Sequence, residues 1–357
     1  MEQGKRIPKV LITFKENGQN GGPFISHQRI IDNEYLKTKY DFERLWIPRA
    51  RFFLNPFNYI KFIRRIKKAH PDIVHITGLQ LDGFLSMFAC RIAKVKTVLV
   101  VRGSSSEALG INRVRKSIIN QLEKYTLKKA TYVYGVSDYV SSWKICKYAK
   151  NYYGTIYNFP AEKYIINNSF DIRQELGIPA TDVVIVSSGR ITKDKGFDTL
   201  CNVIKQFKNS DNVRFVIVGN GDYKEQFDKV IENEGLQQRV SLLGYRPNVC
   251  DILKGADIFI ICTKHETLCN SVIEAATMSL PLVVSNVGGL PEIVDSSCGY
   301  LVDPYDEKEF VICLEKLISS RNLRKTMGEN ACNIIKTKFS PFVIEKKLDE
   351  LYQSVLK

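Results

Sequence analysis

Short β-branched apolar runs alternate with longer segments of helical spacing along the whole chain, and this rhythm limits the fold more than any other feature. In the first half the runs are Val10–Phe14, Ile73–Ile76, Thr97–Val101 and Ala130–Val136; Phe24–Asn33, Leu81–Ala93 and Lys116–Lys129 carry the helical period. In the second half Val183–Ser187, Val213–Val218, Val240–Leu243, Ala256–Cys262 and Leu282–Ser285 read as strands. The helices there are Phe197–Phe207, Lys224–Glu234, Asn248–Lys254, Ser271–Met278 and Glu307–Ser319. Such alternation predicts parallel sheets with helices on both faces. The 357 residues hold two such units. The chain therefore reads as α/β, with two Rossmann-like domains whose parallel sheets face each other across a cleft. Asn158-Phe159-Pro160 and Gly177-Ile178-Pro179 break the pattern, dividing a domain of residues 1–160 from one of residues 161–340. In open parallel sheets ligands bind beyond the carboxyl ends of strands, so chemistry is sought in the loops that follow them.

Three such loops in the second half carry reactive groups. The first, Gly189 to Phe197, contains Arg190 and Lys195 just before a helix. A guanidinium fork, an ammonium and free helix N–H groups suit a diphosphate. The second, Lys264 to Glu274, follows a strand; Asn270 reads as an N-cap with the helix starting at Ser271. Glu274 lies one turn into that helix and leans back toward its N-terminus, while Glu266 sits in the loop. Two carboxylates beside a diphosphate make sense if each accepts hydroxyl hydrogen bonds, one from a ribose and one from a sugar. As a pair alone they also read as an exposed loop residue and a helix-dipole partner. The third, Gly288-Gly289-Leu290-Pro291-Glu292, offers a flexible turn. Gly219-x-Gly221 lacks the third glycine of a dinucleotide fingerprint, Lys224 standing in its place.

Charge is divided unevenly. Residues 1–165 hold 29 Lys+Arg against 12 Asp+Glu, whereas residues 166–357 hold 23 against 26. Basic residues at Arg49-Ala50-Arg51, Lys61–Lys68 and Arg113–Lys116 interleave with Phe52, Phe53, Phe57, Tyr59 and Phe62. This pattern fits an anionic membrane surface, and a buried helix face fringed by solvated lysines explains the same letters. No apolar run reaches the ~18 residues of a membrane span. Val10–Phe14 is too short for a secretion signal, so a cytoplasmic protein, peripheral on the inner face of the membrane, is expected. The nine cysteines form no C-x-x-C pair and read as reduced, buried thiols. Cys262, His265 and Cys269 lack a second pair, so no metal site is expected.

Taken in order, Gly189-Arg190, Lys195-Gly196, Val218-Gly219-Asn220-Gly221-Asp222, Leu243-Gly244, Ala256-Asp257, Glu266-x7-Glu274-Ala275 and Gly288-Gly289-x-Pro291-Glu292 resemble the retaining glycosyltransferases of family four, with the fold called GT-B. The likeness covers nearly the whole chain and is strongest over residues 183–305. It implies that Arg190 and Lys195 bind the donor diphosphate, Glu266 the transferred sugar and Glu274 the ribose. Backbone at Leu268, Cys269 and Asn270 would meet the phosphates or sugar, and Tyr245 and Arg246 would lie near the base. In the acceptor-side domain, Gly21 and Gly22 resemble the glycine-rich closure loop, and His75 the histidine of an Asp-x-x-His. Arg102 stands where many members have His; it cannot act as a base and reads as a phosphate or sugar contact. The resemblance also implies that the C-terminal helix, about 341–357, packs on the first domain. It implies that no cofactor or metal is needed, and that the partners are a nucleotide-sugar donor and a glycan or lipid-linked acceptor. A nucleotide-sugar epimerase of the same fold is the alternative. A basic nucleic-acid-binding protein is the more distant one, against which the ordered motifs argue.

Overall fold

The computed structural model describes residues 6–16, 21–48, 53, 55–105, 107, 112–160 and 170–357. They form two compact units, one of residues 1–159 with 341–357 and one of residues 160–340.

The first unit is built on six parallel strands: β1 Lys9–Lys15, β2 Asp41–Ile47, β3 Ile73–Thr77, β4 Lys96–Val101, β5 Tyr132–Gly135 and β6 Tyr152–Thr155, in the order β2-β1-β3-β4-β5-β6. β3 and most of β4 are buried, because helices cover both faces. The last helix of the chain, Pro341–Leu356, belongs to this unit. It buries Ile344, Leu348, Leu351, Tyr352 and Val355, each contributing about 1.5–3 kcal/mol. Polar ties fix its register. The Asp349 carboxylate accepts from Tyr40 at 2.7 Å and Tyr35 at 3.0 Å and pairs with Lys39.

Helices Pro56–Ala69, Leu81–Ala93 and Arg113–Lys129 lie side by side. The Tyr59 hydroxyl donates to the Leu85 carbonyl at 2.9 Å, and the Phe84 and Tyr125 rings meet edge-on at 5.4 Å. For two rings of the basic-aromatic stretch this layer bears out the buried-face reading. Phe53 and Phe62 are buried against each other, 4.9 Å apart, so they belong to the core. The exposed apolar side chains are Phe57, Ile60, Phe88, Ile92, Val114 and Ile118. Arg49, Ala50, Arg51 and Phe52 lie outside the described residues.

The second unit has strands β7 Val183–Ser188, β8 Val213–Val218, β9 Val240–Leu242, β10 Ile258–Ile261, β11 Leu282–Ser285 and β12 Gly299–Val302, in the order β12-β11-β10-β7-β8-β9. All pairings are parallel. One face packs Ile185, Ile217, Ile258 and Ile260 against Phe197, Leu200, Phe227 and Phe310. The strand order reverses between β7 and β10, and the loops leaving such a switch point diverge to open a crevice.

Candidate active site

The crevice of the second unit is bounded by the loops after β7 and β10. Their main chains touch: the Lys264 N–H donates to the Asp194 carbonyl at 3.0 Å. Gly196, in the left-handed region at φ 70°, sits so close that a Cβ there would lie 1.7 Å from the Cys262 carbonyl oxygen. Only glycine meets both demands. The Gly219-x-Gly221 pair has a packing duty. A Cβ on Gly219 would lie 1.8 Å from the Gly189 oxygen, and one on Gly221 2.1 Å from the Ile191 oxygen. The loop after β8 therefore presses directly on the backbone that carries Arg190.

Arg190 is exposed and forms no ion pair with any described residue. Lys195 lies largely out of solvent, where its Nζ meets Glu266 Oε2 at 2.6 Å; the two side chains are 19% and 14% exposed. Burial is the largest single influence and would lower the Lys195 pKa, but the Glu266 charge and hydrogen bond, with Cys269 and Asp194, together outweigh it and hold the ammonium above its ordinary value. The second Glu266 oxygen accepts the Thr267 N–H at 3.1 Å. Arg190 is thus a cation open to a ligand, and Lys195 one already balanced by a carboxylate.

The β10 loop enters the helix Asn270–Thr277. Here the expected cap is corrected: Cys269 is the N-cap, no side chain caps the helix, and Asn270 is its first residue. The Ile273 N–H reaches the Cys269 carbonyl at 3.2 Å, so the turn closes through backbone alone. Leu268 and Cys269 are buried. Burial pushes the Cys269 thiol up to about 12, so it stays protonated and is no nucleophile at neutral pH. Glu274 is buried one turn into the helix. Tyr245 is half exposed, whereas Arg246 is held in a fork by both Glu175 oxygens at 2.8 and 2.6 Å, so its guanidinium is already engaged. Gly288 and Gly289 lead into the short turn Leu290–Glu292, which buries Leu290.

In the first unit, Gly21 precedes the helix Gly22–Ile31 without a side-chain cap, and Pro23 opens it. Gly18, Gln19 and Asn20 of the same loop lie outside the described residues. His75 is fully enclosed on β3, with the Tyr352 hydroxyl at 2.8 Å from Nδ1 and the Tyr134 hydroxyl at 3.1 Å from Nε2. Both ring nitrogens are used, which removes it from acceptor contact: it ties the last helix to the sheet. Burial, with Arg102 adding to it, lowers its pKa to about 3. Arg102 follows β4 and donates through Nη1 to Asn158 Oδ1 at 2.9 Å. Ser137 caps a short helix by accepting from Val140 N–H at 3.2 Å. His27, which no sequence motif singles out, is buried beside His75 with ring centroids 5.0 Å apart.

Comparison with known proteins bears on the fold and the family. Residues 168–334 match the family described as Glycosyl transferases group 1. The capsular polysaccharide biosynthesis glycosyltransferase CapM of Staphylococcus aureus is 25% identical over 312 residues, covering 84% of this chain and 80% of CapM. The alpha-D-kanosaminyltransferase of Streptomyces kanamyceticus is 24% identical over 306 residues, covering 79% of this chain and 76% of the relative. Among solved structures, Anabaena Alr3699/HepE in complex with UDP-glucose superposes with a TM-score of 0.80 at 20% identity, over 97% of this chain and 99% of that one. The fold is that of the GT-B glycosyltransferases.

Proposed function

We propose that this chain, whose residues 168–334 match the Glycosyl transferases group 1 family, is a glycosyltransferase that moves a hexose from a UDP-sugar to a hydroxyl of a glycan acceptor, with retention and without a metal. The observation that carries this reading is the convergence of one open cation, one carboxylate-balanced cation and one uncapped helix start on the switch point between β7 and β10. Arg190 and Lys195 take the donor diphosphate and stabilise the charge it gains on leaving. Glu266, set against Lys195, accepts a hydroxyl of the sugar, and Glu274 accepts the ribose hydroxyls. UDP is the favoured carrier because the HepE structures hold it. The acceptor hydroxyl attacks on the face the diphosphate leaves, and the departing phosphate takes its proton. A covalent glycosyl adduct trapped on Glu266 would overturn that step.

The same reading includes work at a membrane on a lipid-linked acceptor. Among the described residues no helix is long and apolar enough to cross a bilayer. Support for surface docking comes from the three-helix layer, where Phe57, Ile60, Phe88, Ile92, Val114 and Ile118 are exposed beside Lys61, Arg64, Arg91 and Arg115. Basic residues near anionic lipid gain about 1 kcal/mol each.

The test is thermal unfolding with UDP, GDP, ADP, CMP and NAD, with and without EDTA. A ligand at a hundred times its dissociation constant adds about 2.7 kcal/mol. UDP should raise the midpoint regardless of EDTA, and Glu274→Ala should abolish the rise. A response to NAD alone, or to none, refutes the donor site. A rise that EDTA removes refutes metal independence.

A further inference from the structure

Arg102 is a half-buried cation in the first unit, and its surroundings do not balance it. Nη1 is used by the neutral Asn158 amide, and Nε is enclosed without a partner. Among the described residues no Asp or Glu pairs with it. The buried carboxylate of this region, Glu123, is occupied by the Ser104 hydroxyl at 2.8 Å, the Ser105 N–H at 2.8 Å and the Ser105 hydroxyl at 2.9 Å. The nearby imidazoles His27 and His75 are buried, and burial together with the Arg102 charge keeps both neutral. His27 Nε2 is likewise enclosed without a partner.

A guanidinium withdrawn from water among neutral neighbours is costly to hold without a counter-charge. A fold keeps such a group when the counter-charge arrives from outside. We propose that Arg102, braced by Asn158, is an oxyanion subsite at the carboxyl end of β4 that receives a phosphate group through the nitrogen its protein partners leave open. Guanidinium suits this role because it is always charged and its fork matches two phosphate oxygens. The phosphate belongs to a phosphorylated acceptor. The subsite rests on the geometry of the first unit and stands apart from the reading of Arg190, Lys195 and Glu274.

Both tryptophans, Trp46 and Trp143, lie in the first unit, so tryptophan fluorescence follows its unfolding alone. Thermal melts of the full chain are run with inorganic phosphate added at constant ionic strength, chloride replacing it in controls. Wild type and Arg190→Gln should show a saturable rise of about 3–5 °C in the tryptophan-reported midpoint. Arg102→Gln should lose the rise and should melt, without phosphate, no lower than wild type. Arg102→Lys should keep a smaller rise. Arg102→Gln should leave UDP affinity unchanged; a variant that also weakens UDP binding overturns the assignment to an acceptor phosphate. A rise that survives in Arg102→Gln, or that chloride reproduces, overturns the subsite. So does an Arg102→Gln midpoint several degrees below wild type without phosphate, which is the mark of a structural arginine.

Discussion

The Lys195–Glu266 pair makes the most quantitative demand on the candidate site. Two unit charges 2.6 Å apart attract by about 6 kcal/mol at an effective dielectric of ~20. Desolvating each ion costs several kcal/mol, so the intact pair adds little net stability, while an orphaned partner is expensive. The side chains retain 19% and 14% exposure, which places the cost of either single substitution near the lower end of the range, about 3 kcal/mol. Lys195→Met and Glu266→Gln should each lose about that much, and the double variant about 1 kcal/mol, a coupling energy of about 5 kcal/mol. Urea unfolding followed by far-UV circular dichroism measures this, the transition of the second unit being the one without a tryptophan change. The variants should also part company in binding. Glu266→Gln releases Lys195 and should bind UDP more tightly than wild type, and Lys195→Met more weakly. A coupling below about 0.5 kcal/mol, the scatter of independent sites, would refute the pair. Equal UDP affinity in both variants would refute its link to the donor.

Two further predictions follow from single contacts. Gly196→Ala combines a left-handed backbone, costing about 1–2 kcal/mol, with a Cβ driven into the Cys262 carbonyl, costing about 1–3 kcal/mol. A urea midpoint that shifts by less than about 1 kcal/mol would show that the two loops are not in contact. His75 is held neutral, its pKa lowered to about 3, so the unfolded state takes up a proton first as pH falls. Its contribution is complete above the ordinary histidine value near 6.5 and shrinks as pH falls toward 3, by about 2 kcal/mol at pH 5. Melts of the first unit between pH 7 and 5 should show at least this loss, and His75→Gln should reduce it, the remainder coming from the likewise neutral His27; an unchanged slope would contradict the buried, neutral ring.

The central strands were legible because both of their faces are covered, which forces unbroken apolar runs such as Val98–Val101 and Ile258–Ile261. β2, β6 and β12, three of the four edge strands, were not, whereas β9, the fourth, was. Asp41–Ile47 mixes Asp, Glu and Arg among its apolar residues, and Tyr152–Thr155 is only half buried, so neither carries a continuous signal. In the site, post-strand position was enough to nominate Arg190, Lys195, Glu266 and Glu274. Pairing was not legible: nothing in the spacing says that Arg246 meets Glu175, 71 residues away, or that Lys195 meets Glu266. His75 drew attention as a motif residue, yet its partners come from β5 and the last helix, 59 and 277 residues distant. The sequence left Phe53 and Phe62 open between a membrane surface and a buried face because their neighbours are basic; both rings are buried.

The most direct test of the account follows UDP-glucose by proton NMR, with purified protein and glycolipids extracted from the organism that carries the gene. The account predicts that UDP is released as an α-linked sugar appears on the extracted acceptor, and that Arg190→Ala and Glu274→Ala both suppress it. Sugar isomerised while still joined to its nucleotide, with no product on any acceptor, would contradict it and establish the epimerase instead.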